Sequence, residues 1–148
     1  MTAEVSRRQQ IEDAASTLFR ERGYAATSVR DIAQALDMQG GSLYAHVASK
    51  EDMLWAIVVR AADQFNREVG PLADAAGQPP KSRLQSMIRA HVGVVTSAQK
   101  DAAVFLHQWR FLNPERRTQI GQRRDDYEGL FRGVIADGVG TNEFRPVD

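Results

Sequence analysis

An all-α fold is predicted by three features of this 148-residue sequence. Apolar residues recur at helical spacing in segment after segment, and helix start and stop residues punctuate those segments. No stretch of any length alternates apolar and polar residues as a half-buried strand would, and no internal repeat or low-complexity tract is present.

Ile11, Ala14, Ala15, Leu18 and Phe19 form the first apolar stripe. Gly23 suits a left-handed C-cap that ends this helix near Arg22. Thr27 or Ser28 caps a second helix, with Asp31 in its first turn and Val29, Ile32, Ala33 and Leu36 on its buried face. Asp37 interrupts, and a third short helix fits Gln39 to about His46. Ser49, Glu51 and Asp52 open a long helix through Leu54, Ile57, Val58, Ala61 and Phe65. Gly70-Pro71 and the run Gly77-Gln78-Pro79-Pro80 bracket an expected interhelical loop. Beyond it, Leu84, Ile88, His91, Val92 and Val95 make a further stripe, and Asp101 starts a helix through Phe105, Leu106, Trp109 and Leu112. Asn113-Pro114 starts the last helix, which carries Ile120, Tyr127, Leu130, Phe131, Val134 and Ile135 and ends at Gly138 and Gly140.

Composition narrows the function classes. Hydrophobic residues make up 43% and charged residues 26%, the balance of a globular chain. With no cysteine there is no disulfide, thiolate metal site or cysteine nucleophile, and a reducing compartment is compatible. The polar residues 1–10 hold no signal-peptide stretch, and no run reaches the roughly 18 apolar residues of a membrane helix. A cytoplasmic protein without membrane association is expected. No Ser-His-Asp set, carboxylate pair or phosphate loop is evident, so no catalytic residue and no cofactor are assigned. His91 and His107 lack carboxylates at ligand spacing and read as core or pocket-lining side chains, so no metal site is assigned either.

Residues 25–52 carry the functional signal. A capped helix, a short turn and a second short helix make a helix-turn-helix. The second helix is dense in small and polar residues (Gln39, Gly40, Gly41, Ser42, Tyr44, Ala45, His46), with Leu43 and Val47 as its only apolar anchors. Small side chains let a helix axis approach base edges, and polar ones at its N-terminal end hydrogen-bond to them. Bulk charge points the other way. Residues 1–52 carry six Lys/Arg against eight Asp/Glu, and residues 81–148 eleven against eight. Phosphate contacts must then come from helix N-termini, backbone N–H groups, hydroxyls and one lysine. Modest non-specific affinity and a shallow salt dependence are expected, with Glu12, Asp13 and Glu21 facing away from the duplex.

Phe19, Gly23-Tyr24, Thr27-Ser28-Val29, Asp31-Ile32-Ala33, Ser42-Leu43-Tyr44, His46 and Ser49-Lys50-Glu51 together resemble the signature of the TetR (tetracycline-repressor-like) family, over about a third of the chain. The resemblance implies a ligand-controlled repressor that binds a double-stranded DNA operator, as a homodimer. It implies a helix-turn-helix DNA-binding domain over 1–52 and a helical ligand and dimerisation domain over 53–148, joined by a connecting helix over 50–69. It implies that Thr27 caps a helix and touches the DNA backbone, with Ser28 beside it. Gln39, Gly40, Gly41 and Ser42 would begin the recognition helix, Tyr44 and His46 would meet groove and phosphate, and Lys50 would clamp a phosphate. Three positions depart from the pattern. Asp37 stands in place of the turn glycine and tolerates positive φ. Gln39 replaces a hydroxyl cap but offers an amide to an adenine edge. Val47 replaces an aromatic.

Phe105 to Asp148, with WRFLNPERR, Ile120, Arg124, Tyr127 and Phe131, resembles more loosely the sensor domains of TetR-type regulators that respond to acyl-coenzyme A thioesters. That resemblance implies an effector site among Phe105, Trp109, Arg110, Arg124 and Tyr127, with arginines meeting the phosphates. Arg116, Arg117, Arg123 and Arg124 read either as an anion site or as a solvated face balanced by Asp125, Asp126 and Glu128. The alternative effector is a lipophilic drug, as for regulators of efflux. A helix-turn-helix interaction protein that does not bind DNA is the other rival. Two long helices that usually close the family's dimer bundle are expected to be lacking after Pro146-Val147-Asp148.

Overall fold

The computed structural model describes residues 5–148. Its elements are α1 (Arg7–Arg22), α2 (Val29–Ala35), α3 (Gly40–Leu43), α4 (Lys50–Ala73), α5 (Pro80–Ser97), α6 (Gln99–His107), a 3-10 turn (Trp109–Phe111) and α7 (Pro114–Gly140). No strand occurs among the described residues, so the all-α expectation holds.

Caps fix most helix starts. Ser6, Ser28, Ser49 and Asn113 each accept a hydrogen bond from the backbone N–H three residues on. Ser28 and Asp31 complete a reciprocal capping box, so of the two cap candidates for α2 it is Ser28 that serves. Gly23 departs from the expected left-handed cap. Its φ is 84° but its ψ is 155°, a region essentially reserved for glycine. The Gly23 N–H still closes α1 on the Phe19 carbonyl at 3.0 Å. The extended ψ then turns the chain so that the Tyr24 N–H reaches Gln108 Oε1 at 2.9 Å. Asp37 takes φ 52° in the turn after α2, in place of a glycine.

α4 is the pillar of the molecule. Met53, Leu54, Ile57, Val58, Ala61, Ala62 and Phe65 are buried in one cluster with Ile11, Leu18 and Phe19 of α1, Ile32 of α2, Leu43 of α3, Phe105 of α6 and Ile120 of α7. The core therefore runs without a gap past residue 52. α4 also outruns its expected end at residue 69 and passes through Gly70 and Pro71 to Ala73. Proline removes one helical hydrogen bond, but Val69 and Ala73 are buried with Met87 and Val134, and that packing outweighs the loss in the last turn.

α5 corrects the predicted stripe. Met87 and Val94 are buried, His91 is half-buried, and Ile88 and Val92 are about half exposed. Of the expected stripe, Leu84, His91 and Val95 are partly buried against the core, while Ile88 and Val92 turn outward and Met87 and Val94 take the inner positions. α3 is also shorter than expected, giving way at Tyr44 to a turn closed by Ala45 N–H on Ser42 O and His46 N–H on Leu43 O. Two glycines propagate a helix poorly, and the Gln39 side chain makes no cap bond. At the end of α7 Gly138 lies against the Phe144 ring, where a Cβ would come within 2.0 Å of Cδ2.

Arg60 of α4 ties the helix-turn-helix half to the rest. Its Nε donates to Asp101 of α6 at 2.9 Å and its Nη2 to Asp13 of α1 at 3.1 Å, with Glu12 at 3.6 Å. Ser16 donates to the same Asp101 carboxylate. Burial works against the guanidinium charge, but the hydrogen bond to Asp101 and the charges of Asp101, Asp13 and Glu12 outweigh it and hold its pKa above the ordinary value. Arg60→Met leaves three carboxylates facing one another without their cation. A stability loss of about 2 kcal/mol is expected, below the buried-pair range because solvent screens part of the site. Chemical denaturation measures it.

Candidate nucleic-acid interface and effector cavity

The turn after α2 and the short α3 present a polar outer face over an apolar anchor. Leu43 is fully buried and Val47 nearly so, which pins α3 from beneath. Gln39, Gly41, Ser42, Tyr44, Ala45 and His46 are all exposed, Tyr44 by 54%. A Cβ added at Gly40 or Gly41 would meet no other atom within 4 Å. The protein's own packing therefore does not require glycine at either position. The missing side chains leave the backbone of α3 open to something outside the molecule.

Two of the residues expected at this face lie elsewhere. Thr27 is buried, at 1% exposure, and its hydroxyl donates to the Gly23 carbonyl at 2.8 Å and the Leu18 carbonyl at 3.3 Å. Its side chain holds the α1–α2 turn and cannot reach a duplex. Ser28 is exposed; its backbone N–H donates to Asp31 Oδ2 and its Oγ accepts from the Asp31 N–H, which leaves the hydroxyl proton available to an outside acceptor. Lys50 points inward. Its Nζ donates to Tyr24 O at 2.8 Å and Thr27 O at 3.0 Å, and lies 4.0 Å from the centre of the Tyr24 ring. Burial lowers the pKa of this ammonium. One of its three N–H bonds is left for an outside acceptor. Lys50→Met is expected to cost about 1 kcal/mol of stability by stranding the Thr27 carbonyl, since the Tyr24 carbonyl keeps the Thr27 N–H at 3.2 Å. It should leave the slope of log affinity against log salt unchanged. A slope reduced by about one unit would instead mark a phosphate contact.

The acidic residues of α1 are turned from α3, as the charge balance demands. Glu12 and Asp13 meet Arg60, and Glu21 shares an open groove with Ser97 to Asp101 at the α5–α6 junction.

The second site lies between α4, α5, α6 and α7. Phe65, His91, Phe105, Leu106, Arg124, Asp125, Tyr127 and Glu128 line a cavity of about 230 Å³. Phe65 is the hinge of an aromatic cage, with ring centroids 5.2 Å from His91 and 5.6 Å from both Phe105 and Tyr127. Arg124 sits at the rim, its guanidinium 5.0 Å from the Phe105 and Trp109 rings, and its Nη1 donates to Phe105 O at 3.3 Å. Burial, followed by the charge of Arg110, lowers its pKa. Neither arginine has a carboxylate within 4.0 Å among the described residues.

Phe105, Arg124 and Tyr127 thus line the cavity together, whereas Trp109 and Arg110 stand outside its lining, Trp109 behind Arg124 and the Arg110 guanidinium 5.8 Å from the Trp109 ring. Phe65 and Leu106 join the lining without having been expected there. Each carries only the ordinary sequence signal of a buried helix position.

The arginines of the α7 run do not act as one group. Arg116 bonds Glu51 and Asp52 across to α4 and stacks 5.4 Å from Trp55. Arg123 pairs with Asp63 of α4. Arg117 is exposed, and only Arg124 faces the cavity. The balancing carboxylates sit on α4, whereas Asp126 accepts from Gln122 and Glu128 from Arg132.

Comparison with known proteins decides the family. The model of bacterial regulatory proteins of the tetR family matches residues 11–57, and that of the tetracyclin repressor-like C-terminal domain matches 77–148. The HTH-type transcriptional repressor KstR2 of Rhodococcus jostii is 31% identical over 140 residues, covering 94% of this chain and 68% of that protein. The chain belongs to the TetR family. As a TetR-family protein it is a helix-turn-helix transcriptional regulator and not an enzyme. Solved structures agree in fold. The TetR-family regulator PfmR of Thermus thermophilus is 33% identical with a TM-score of 0.83, covering 93% of this chain and 75% of that one. AibR, solved with isovaleryl coenzyme A and operator DNA, is 29% identical with a TM-score of 0.87, covering 97% and 77%. No helix among the described residues of this TetR-family chain is long and apolar enough to cross a membrane.

Proposed function

We propose that this chain is a cytoplasmic, homodimeric repressor that leaves its operator when an acyl-coenzyme A thioester enters the α4–α7 cavity. The DNA half of the proposal is carried by α3, with its exposed Tyr44 and its two glycines that no internal packing requires. Gln39, Gly41, Ser42, Tyr44 and His46 are the residues proposed to face the duplex. Two copies would place two such helices in successive major grooves. The effector half is supported by the aromatic cage beneath Arg124 and by AibR, a structural neighbour that binds isovaleryl coenzyme A.

α4 is the proposed link. Phe65 at the cavity and Lys50 at the α1–α2 turn are both on it, and at 1.5 Å per residue the helix carries a tilt at one over roughly 20 Å to the other. A thioester that fits only one tilt of α4 would shift the population away from the DNA-binding spacing.

One observation favours a second reading. Asp125 and Glu128 also line the cavity, and an aromatic pocket with carboxylates suits a lipophilic cationic drug. A gel shift with the full chain and the DNA upstream of its own gene tests the core of the proposal. A shift at low salt is expected, with a shallow salt slope and release by a coenzyme A thioester. No shift by a full-length dimer supports the non-DNA-binding rival. Release by a lipophilic cation and not by thioesters supports the drug reading. Native mass spectrometry of the purified protein reports dimer and retained ligand together.

A further inference from the structure

We propose that His91 and Tyr127 form a selectivity pair that favours effectors whose acyl group carries a hydrogen-bonding oxygen, keto or hydroxyl, over hydrocarbon acyl groups of equal length. This rests on the acyl-thioester reading above.

The two side chains meet inside the cavity, His91 Nδ1 lying 2.8 Å from the Tyr127 hydroxyl. Around them the surface is aromatic. Phe65 lies against both rings, and Phe131 stands edge-on to His91 at 6.2 Å and 5.6 Å from Tyr127. Both residues line the cavity itself. His91 Nε2 makes no hydrogen bond among the described residues, so the pair's free polar valence has no protein partner.

Burial keeps both groups uncharged. It lowers the His91 pKa and raises that of Tyr127 to about 12. A neutral imidazole has one donor and one acceptor nitrogen. If Tyr127 donates to Nδ1, Nε2 carries the proton and serves a keto oxygen. If Nδ1 donates to Tyr127, Nε2 becomes an acceptor and serves a hydroxyl. Exchange between the two imidazole tautomers, one proton leaving Nε2 and one joining Nδ1 while the Tyr127 O–H turns away from Nδ1, thus accommodates either oxygen with both groups neutral, and neither state serves a methylene. A hydrocarbon chain filling the same space would strip water from Nε2 and leave it unsatisfied. At about 230 Å³ the cavity is below the usual range for drug-sized ligands, which limits the acyl group to a short one.

The test uses three thioesters with one four-carbon skeleton: acetoacetyl-, 3-hydroxybutyryl- and butyryl-coenzyme A. Their affinities for the full chain are measured by calorimetry, with thermal melts to confirm folding. Wild type is expected to bind at least one oxygenated thioester about 10-fold more tightly than butyryl-coenzyme A. Tyr127→Phe and His91→Phe should reduce that ratio to near unity while butyryl-coenzyme A still binds. Equal affinities for all three in wild type would overturn the selectivity and leave the thioester reading standing. A preference that survives both substitutions would overturn the role of the pair. Binding of none of the three would overturn the effector class and this inference with it. If His91→Phe does not fold, Tyr127→Phe, which removes one oxygen atom, decides alone.

Discussion

Gly41→Leu is expected to lower operator affinity by about 100-fold while leaving the protein at least as stable as the wild type. Two independent effects combine in this. On the protein's side, a Cβ at position 41 meets nothing within 4 Å, and the residue is exposed within α3. Replacing a helical glycine that has ordinary φ reduces the entropy of the unfolded chain and stabilises by about 0.4–1 kcal/mol. On the side of the duplex, an isobutyl group on the outer face of α3 holds the helix axis away from the groove floor. The base-edge hydrogen bonds it prevents are worth about 1–3 kcal/mol per half-site, and a dimer forgoes them at both half-sites. Tyr44→Ala acts more mildly, by roughly 10-fold, because it shortens one side chain without adding an obstacle. Fluorescence anisotropy with the operator and a thermal melt give the two readouts. A Gly41→Leu protein that melts as the wild type does and still binds tightly would mean that α3 does not enter a groove.

The helix-turn-helix is legible in the sequence because it is encoded locally. Ser28 and Asp31 cap each other, Asp37 makes the turn, and Leu43 and Val47 anchor α3, all within 20 residues. Local chemistry of that kind is written in sequence order. Thr27 shows the limit. A threonine beside a cap position has the same one-dimensional signature whether its hydroxyl faces water or, as here, the carbonyls of Leu18 and Gly23. Lys50 is similar, since nothing in the order of residues tells that the Tyr24 and Thr27 carbonyls converge on it. The cavity between α4, α5, α6 and α7 is non-local from the start. Residues 65, 91, 105 and 127 come from four different helices, and each reads as an ordinary core position on its own. For the arginines of α7, the sequence offers only the acids of the same helix as neighbours. Their partners, Glu51, Asp52 and Asp63, are on α4, more than 50 residues away. Pro71 carries the local signature of a helix stop, and tertiary burial of Val69 and Ala73 overrides it.

Phe65→Ala is expected to destabilise the protein by about 3–5 kcal/mol, the range for truncating a buried aromatic. For a chain of this size that is a fall in melting temperature of roughly 10 °C or more. The side chain is 2% exposed and is the common neighbour of His91, Phe105 and Tyr127, so three aromatic rings lose their shared partner at once. The truncation also joins an existing cavity to a new one, which leaves the surrounding rings less able to collapse into the space. Phe65→Leu retains most of the volume and should cost no more than about 1.5 kcal/mol. The same enlargement changes what the cavity admits. A longer acyl chain should enter Phe65→Ala more readily than the wild type, and its binding should restore part of the lost stability by mass action. Denaturation with and without a long-chain thioester separates the two effects. A loss below about 1 kcal/mol, well under the range for a buried aromatic, would show that the cage closes on itself when Phe65 is cut back. The site would then be a flaw in packing with no capacity to hold an effector, since a pocket that collapses so cheaply could not impose one tilt on α4 against another.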